Sequence, residues 1–321
     1  MALLDVIRIN LLSPMVLAFI LGVLAVIVKT DLSIPRQVYS VISIYLLFAI
    51  GLKGGFDLAS TTMADFGLAA IVAALIGAGI PVWSYLILHY FGRFDEVNSV
   101  AISLHYGGVS AATLSACVTF LAEVGQGFEG FMPTMYVLME LPAVAVALLI
   151  ANARLSESAQ VGDVLRSALT GKSMLLLGGG VLIGYASGAV GASQVAPFFV
   201  DLFPGVLVIF LLDMGTVVGK RLSDLRDAGP FLLAFGVVMP LLHGLLGTGL
   251  GSWIGLSVGG SMIMGVLAAS ASFITAPAVV QANLPDANPG YYLTAPLVIS
   301  FPFNLVIGLP IYFELALLLV G

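Results

Sequence analysis

Gly107-Gly108-Val109-Ser110-Ala111-Ala112-Thr113 and Ala269-Ser270-Ala271-Ser272-Phe273-Ile274-Thr275 are two short, small-residue and polar interruptions in otherwise apolar runs. A shift of 160 residues lays Ser110 on Ser270, Ala111 on Ala271, Ala116 on Ala276 and Pro142 on Pro302. The identity is sparse, but it recurs at the same place in each half. The pair reads as a binding site built across an internal repeat.

Working outward, the chain is 60% hydrophobic and 9% charged, with a mean hydropathy of +1.14. A soluble domain of 321 residues has too little surface for so many apolar side chains. The chain therefore reads as an integral membrane protein. Its apolar runs, about 18 to 25 residues long, suit helices crossing a hydrocarbon core of about 30 Å and lack the alternation of barrel strands. The expected fold is all-α. A net charge of −6 with scattered basic residues gives no sign of nucleic acid as a partner. One cysteine, Cys117, excludes an internal disulfide and a CxxC metal site, and its apolar setting reads as packing. Asp5 stands where a signal peptide would be basic, so the N-terminal apolar run is read as a retained first helix.

Pro, Gly and charge punctuate ten spans: residues 11–28, 38–53, 66–90, 98–122, 131–152, 172–190, 197–218, 229–253, 256–283 and 291–320. The fourth and ninth carry the interruptions. The longest polar connection, 153–171, is expected to be a cytoplasmic linker between a first five-helix repeat, 1–152, and a second, 172–321. Five is odd, so the second repeat enters the membrane from the opposite side and the two are inverted. Of the 11 basic residues, only Arg8 and Lys53 fall on one side. Lys29, Arg36, Arg93, Arg154, Arg166, Lys172, Lys220, Arg221 and Arg226 fall on the other. The positive-inside rule makes that second side cytoplasmic and puts both termini outside.

Inverted repeats with interrupted, crossing helices are the plan of secondary transporters, whose site lies where the broken helices meet. Breaks expose N–H and C=O groups that lipid cannot satisfy, so they must face protein, water or a ligand. Packing of small residues is the plainer explanation of either stretch, but two repeat-related stretches bearing Ser and Thr favour a site. Neither break contains a carboxylate or a cation. The breaks instead offer amides at the starts of half-helices and the hydroxyls of Ser110, Thr113, Ser270, Ser272 and Thr275, which suit a small anion. Gly108, Ala111, Ala112 and Ala271 allow close backbone approach.

An anion entering a cell works against the membrane potential by about 2.3 kcal/mol per charge per 100 mV. Symport with one Na⁺ cancels that cost, and a tenfold Na⁺ gradient then adds about 1.4 kcal/mol. Oxygen ligands for Na⁺ are sought at Glu140, at its 160-shift counterpart Ser300, and one turn further at Asn304. Thr113 and Thr275 complete that candidate set.

At these residues the chain resembles the sodium-dependent bicarbonate transporters, the SbtA family of cyanobacteria and other bacteria. The likeness is carried by LLFAIGLKGGFDL (46–58), HYGGVSAAT (105–113), MELPA (139–143), LLDMG with SDLR (211–226), PLLHG (240–244) and AASASFITAPA with LPDANPGYY and SFPFN (268–304). The resemblance implies a Na⁺/HCO₃⁻ symporter of the bacterial inner membrane, a homotrimer of inverted five-helix repeats. It implies bicarbonate held by Ser110, Ala111, Ala112, Ser270, Ala271 and Ser272, with Na⁺ as coupling ion close by and no other cofactor. The chain departs at Phe273, where some members carry Asp. Its central linker is shorter than in many cyanobacterial members, where a PII-like cytoplasmic regulator, SbtB, docks. Two other readings stay open: a Na⁺-coupled carrier of a short carboxylate, and a non-transporting bicarbonate sensor.

Other polar residues have plainer readings. Glu140 also reads as a carboxylate bonded to nearby backbone, Asp213 as an interface residue near a bend, and His105 and His243 as packed core residues. Asn98 reads as the N-cap of the fourth span, and Trp83 and Trp253 as interfacial anchors. Gly215 to Lys220 lacks the spacing and the Ser or Thr of a P-loop. No HExxH motif or Cys/His metal spacing occurs, so enzymatic chemistry is not expected.

Overall fold

The structure is a computed structural model that describes residues 3–32, 34–59, 63–155, 166, 170–273 and 275–321. It is all-helical, with no strand among the described residues. Among the described residues, seven helical runs are long and apolar enough to cross a membrane, or eight if the bent pair at the N-terminus counts as one span. Most of the linker expected at 153–171 lies outside the described residues.

The elements are α1 (Leu3–Leu11), α2 (Pro14–Ile27), α3 (Arg36–Leu58), α4 (Met63–Leu86), α5 (Glu96–Gly107), α6 (Ala111–Glu123) and α7 (Met135–Leu155). They continue as α8 (Lys172–Ala196), α9 (Phe203–Lys220), α10 (Asp224–Trp253), α11 (Val258–Ala269) and α12 (Thr275–Asn283). The last helical run, α13, is Pro289–Val320.

The N-terminus differs from the sequence expectation. A separate α1 meets α2 at 55°. Ser13 caps α2 by accepting from the Val16 amide at 3.3 Å, and Pro14, with no N–H to leave unpaired, takes the first helical position. A Ser-Pro pair is a helix start, and it sets the beginning of the span expected at 11–28 to Pro14.

Helix packing sorts the described residues into two groups. α2 lies along α9 and α3 along α8. A Cβ on Gly22 would sit 2.1 Å from the Leu212 carbonyl oxygen, and one on Gly55 2.2 Å from that of Val181, so both crossings bring backbone against backbone. α4, α5 and α7 pack on one another, as do α10, α11 and α13, and α6 and α11 join these two sets. The first group, a panel of α2, α3, α8 and α9, meets this core chiefly through α3.

Burial shows what the core encloses. In the run Glu96–Glu123, 94% of the most apolar window is buried, against 22–56% in the other six. Every residue of α11 from Gly259 to Ala269 is buried as well. The two interrupted segments therefore occupy the centre, while Leu21, Leu75, Leu182 and Leu318 stand exposed on outer helices, as lipid-facing residues do.

The α13 run is wound into π-turns at Thr294–Ser300 and Asn304–Gly308. Pro296, Pro302 and Pro310 each lack an amide, which leaves carbonyls without their usual donors. The buried Asn10 of α1 supplies one substitute, donating to Leu305 O at 2.9 Å and Val306 O at 3.0 Å.

Candidate functional site

The first break forms because Gly107 and Gly108 close a buried helix and the chain then turns extended. Gly108 has ψ 158° and Ser110 φ −99°, ψ 114°. Ser110 then restarts the helix as N-cap of α6, its Oγ accepting from the Thr113 amide at 3.2 Å. At the second break Ser270 ends α11 with ψ 160°. Ser272 caps the start of α12, its Oγ accepting from the Ala276 amide at 3.2 Å.

The breaks face each other. The Ser110 amide donates to Ser270 Oγ at 3.0 Å, and the Ser272 amide donates to His105 O at 2.8 Å. A Cβ on Gly108 would meet Ser272 Cβ at 2.7 Å, so glycine is the residue that lets the two chains pass. Between them lies a hollow lined by Leu47, Val109, Ser110, Ala111, Tyr136, Ser272 and Phe273, too tight for a water molecule.

Neighbouring helices satisfy the remaining break groups. Glu140 Oε2 accepts from the Val109 amide at 2.5 Å, and Tyr136, one turn earlier on α7, donates to Val109 O at 3.2 Å. Asn304 Nδ2 donates to Ala269 O at 2.8 Å, while its Oδ1 accepts from Tyr312 at 3.1 Å. Without such partners each group would cost several kcal/mol in a membrane interior.

This accounting separates the candidates. Ser270 Oγ accepts from Ser110 and donates to Leu267 O at 2.8 Å, so its proton is spent. Ser110 and Ser272 use their oxygens as acceptors in the caps and keep their protons to donate. The amides of Ala111 and Ala112, first in α6, have no intrahelical acceptor. Gly108 and Ala271 line the close approach.

The Na⁺ candidates are not all together. Glu140 reaches the first break, and its Oε1 is buried without a partner among the described residues. Asn304 reaches the second break. The Ser300 hydroxyl is engaged elsewhere, 2.6 Å from the Tyr106 hydroxyl and donating to Gly236 O at 2.7 Å. Thr113 is buried in the first turn of α6. The side chain of Thr275 lies outside the described residues. Phe273 turns its ring to Phe301, 5.1 Å between centroids, and Phe301 in turn meets Phe19 of α2 at 5.7 Å.

Other residues depart from the sequence reading. The N-cap of α5 is Asp95, not Asn98: its carboxylate accepts the Asn98 amide at 2.8 Å, and an ionised oxygen outcompetes an amide oxygen there. Asn98 instead accepts from the Asn288 amide at 2.7 Å. Trp83 is half-buried and donates to His243 Nε2 at 2.7 Å. Asp213 is bonded to the Ile34 amide between α2 and α3. Tyr136 escapes the sequence reading, although a Tyr four residues before a buried Glu on one helix face is a legible pair.

A family model described as the Na⁺-dependent bicarbonate transporter superfamily matches residues 14–317. The chain belongs to that superfamily. No curated protein matches it. The transporter is thus a multi-pass membrane protein of a family that moves bicarbonate with Na⁺, and not an enzyme.

Proposed function

We propose that the chain imports bicarbonate by Na⁺ symport, with the anion bound where the two breaks meet. The observation that carries this is that Ser110, Ala111 and Ser272 face one another across a closed hollow, which must widen to admit the anion. Two hydroxyl-bearing residues and Ala111 at the start of α6 line it, and no carboxylate supplies a wall. Helix N-termini favour anions without a fixed cation. Bicarbonate, with three oxygens and one proton, suits a ring of small donors. Glu140 Oε1 and the oxygens of Thr113 and Asn304 are the proposed Na⁺ ligands, and the resulting charge pairing would offset the cost of holding an anion in so dry a place.

Ten crossings in two inverted repeats, 1–152 and 172–321, are part of this reading. The run Met174–Lys220 has 47 residues, about twice a bilayer at 1.5 Å per residue. A turn at Pro197–Asp201 would make it two spans. The bent first pair and the broken α11–α12 segment supply the others. Contacts between residues 160 apart support the two-fold relation, since a residue touching its own symmetry mate lies on the axis: Ser110 with Ser270, and Trp83 with His243. The α2·α9 and α3·α8 crossings exchange places under the same operation. So do the loop contacts of Glu129 with Ser257, at 2.6 and 3.0 Å, and of Asn288 with Asn98. The positive-inside count puts both termini outside. Transport would move the core against the panel, opening the hollow to either side in turn.

The test is uptake of labelled bicarbonate into proteoliposomes, with and without an inward Na⁺ gradient, passive CO₂ entry being subtracted with empty vesicles. Accumulation that follows the Na⁺ gradient is expected. Folded protein with no Na⁺-dependent flux overturns the assignment.

A further inference from the structure

The hollow at the breaks is the inner end of a file of spaces. Beside it, a second hollow lies between Leu47, Ala111, Ser115 and Phe210. Two turns further along α3 and α6, a cavity of about 190 Å³ opens between Ile50, Lys53, Thr119, Ala122, Phe128 and Phe203. Leu47 and Ala111 line both inner hollows. The α6 face that borders the file, Ala111, Ser115, Thr119 and Ala122, recurs at helical spacing and carries no bulky side chain. The file follows the seam between panel and core.

Among the described residues, Lys53 is the one charged residue lining these three spaces. Its ammonium sits 5.6 Å from the centre of the ring of Phe128, which also lines the outer cavity. Asp57 lies one helical turn further on α3. We propose that this cavity is the outer vestibule for the transported anion and that Lys53 recruits it, in competition with Asp57, before it passes along α6 to the breaks. A cation in an apolar-walled recess concentrates anions at its mouth because little solvent screens it there. Apart from the Thr119 hydroxyl the side chains around Lys53 are apolar, so they do not hold the anion there.

This inference rests on the proposed uptake of bicarbonate, and opposite signs at two neighbouring residues test it. In proteoliposomes at fixed Na⁺, Lys53→Gln is expected to raise the KM for bicarbonate about tenfold at low ionic strength with maximal rate kept, and the difference shrinks as inert salt is added. Lys53→Arg restores KM. Asp57→Asn, which removes the competing charge at equal volume, lowers KM. A Thr119→Cys variant in a Cys117→Ala background is expected to react with a membrane-impermeant thiol reagent added outside, and bicarbonate slows that reaction. Unchanged KM and salt dependence in Lys53→Gln, equal direction of change in Lys53→Gln and Asp57→Asn, or a Thr119→Cys thiol unreactive from outside overturns the vestibule. Absence of uptake by the unaltered protein sinks the functional reading instead.

Discussion

The amide of Ser110 donates to the hydroxyl oxygen of Ser270 across 3.0 Å, joining two residues 160 apart in the chain at matching places in the broken helices. That bond ties the end of one half-helix to the start of another. It also consumes the acceptor of Ser270, which leaves the neighbouring hydroxyl protons of Ser110 and Ser272 for a ligand.

Ser270→Ala strands the buried Ser110 amide, a loss of about 1–3 kcal/mol. The expected result is lower thermal stability in detergent. Bicarbonate restores part of it by drawing the same amide, and an unchanged melting curve would show the bond to be dispensable.

At Gly108 the constraint is steric. A Cβ there would meet Ser272 Cβ at 2.7 Å, well inside contact distance. Gly108→Ala is expected to lower maximal uptake by at least about tenfold, equivalent to about 1.4 kcal/mol. Adding Ser272→Gly removes the opposing carbon and should return part of the space but not the hydroxyl, so the double variant recovers folding more than affinity. Uptake and thermal melts on the four proteins of the cycle decide it.

Glu140 separates charge from hydrogen bonding. Glu140→Gln keeps an oxygen that can accept the Val109 amide, now bonded at 2.5 Å. Its stability should stay within about 1 kcal/mol of the unaltered protein. The Na⁺ concentration for half-maximal uptake should rise about tenfold if the carboxylate is a ligand. Unchanged Na⁺ dependence would return Glu140 to holding the break together.

Asn304 serves the other break. Asn304→Asp keeps the acceptor for Tyr312 but has no amide to give the Ala269 carbonyl, which it now reaches at 2.8 Å. Loss of about 1–3 kcal/mol is expected. The maximal rate of uptake should fall further than in Ser300→Ala, because Ser300 ties helices away from the breaks. Parallel measurement of uptake and melting in the two variants checks the order.

Composition, the apolar runs and the two small-residue interruptions were enough to read an all-helical membrane protein with breaks near residues 108 and 270. These come from local chemistry: lipid demands paired backbone, and Gly, Ser and Pro say where pairing stops. At Ser110 the helix restarts because a capping hydroxyl acts within one turn. What only the tertiary structure decided is which groups remain available once the chains meet. Ser110, Ser270 and Ser272 look alike in the sequence, yet one hydroxyl is spent between the breaks and two keep a proton. Ser300 and Glu140 align under the 160-residue shift, yet only Glu140 touches a break. Trp83 reads as an interfacial residue, and only the fold shows that His243, far off in the chain, offers it a ring nitrogen. Hydrogen bonds of this kind depend on positions fixed by packing between helices far apart in the chain, and no local pattern encodes them.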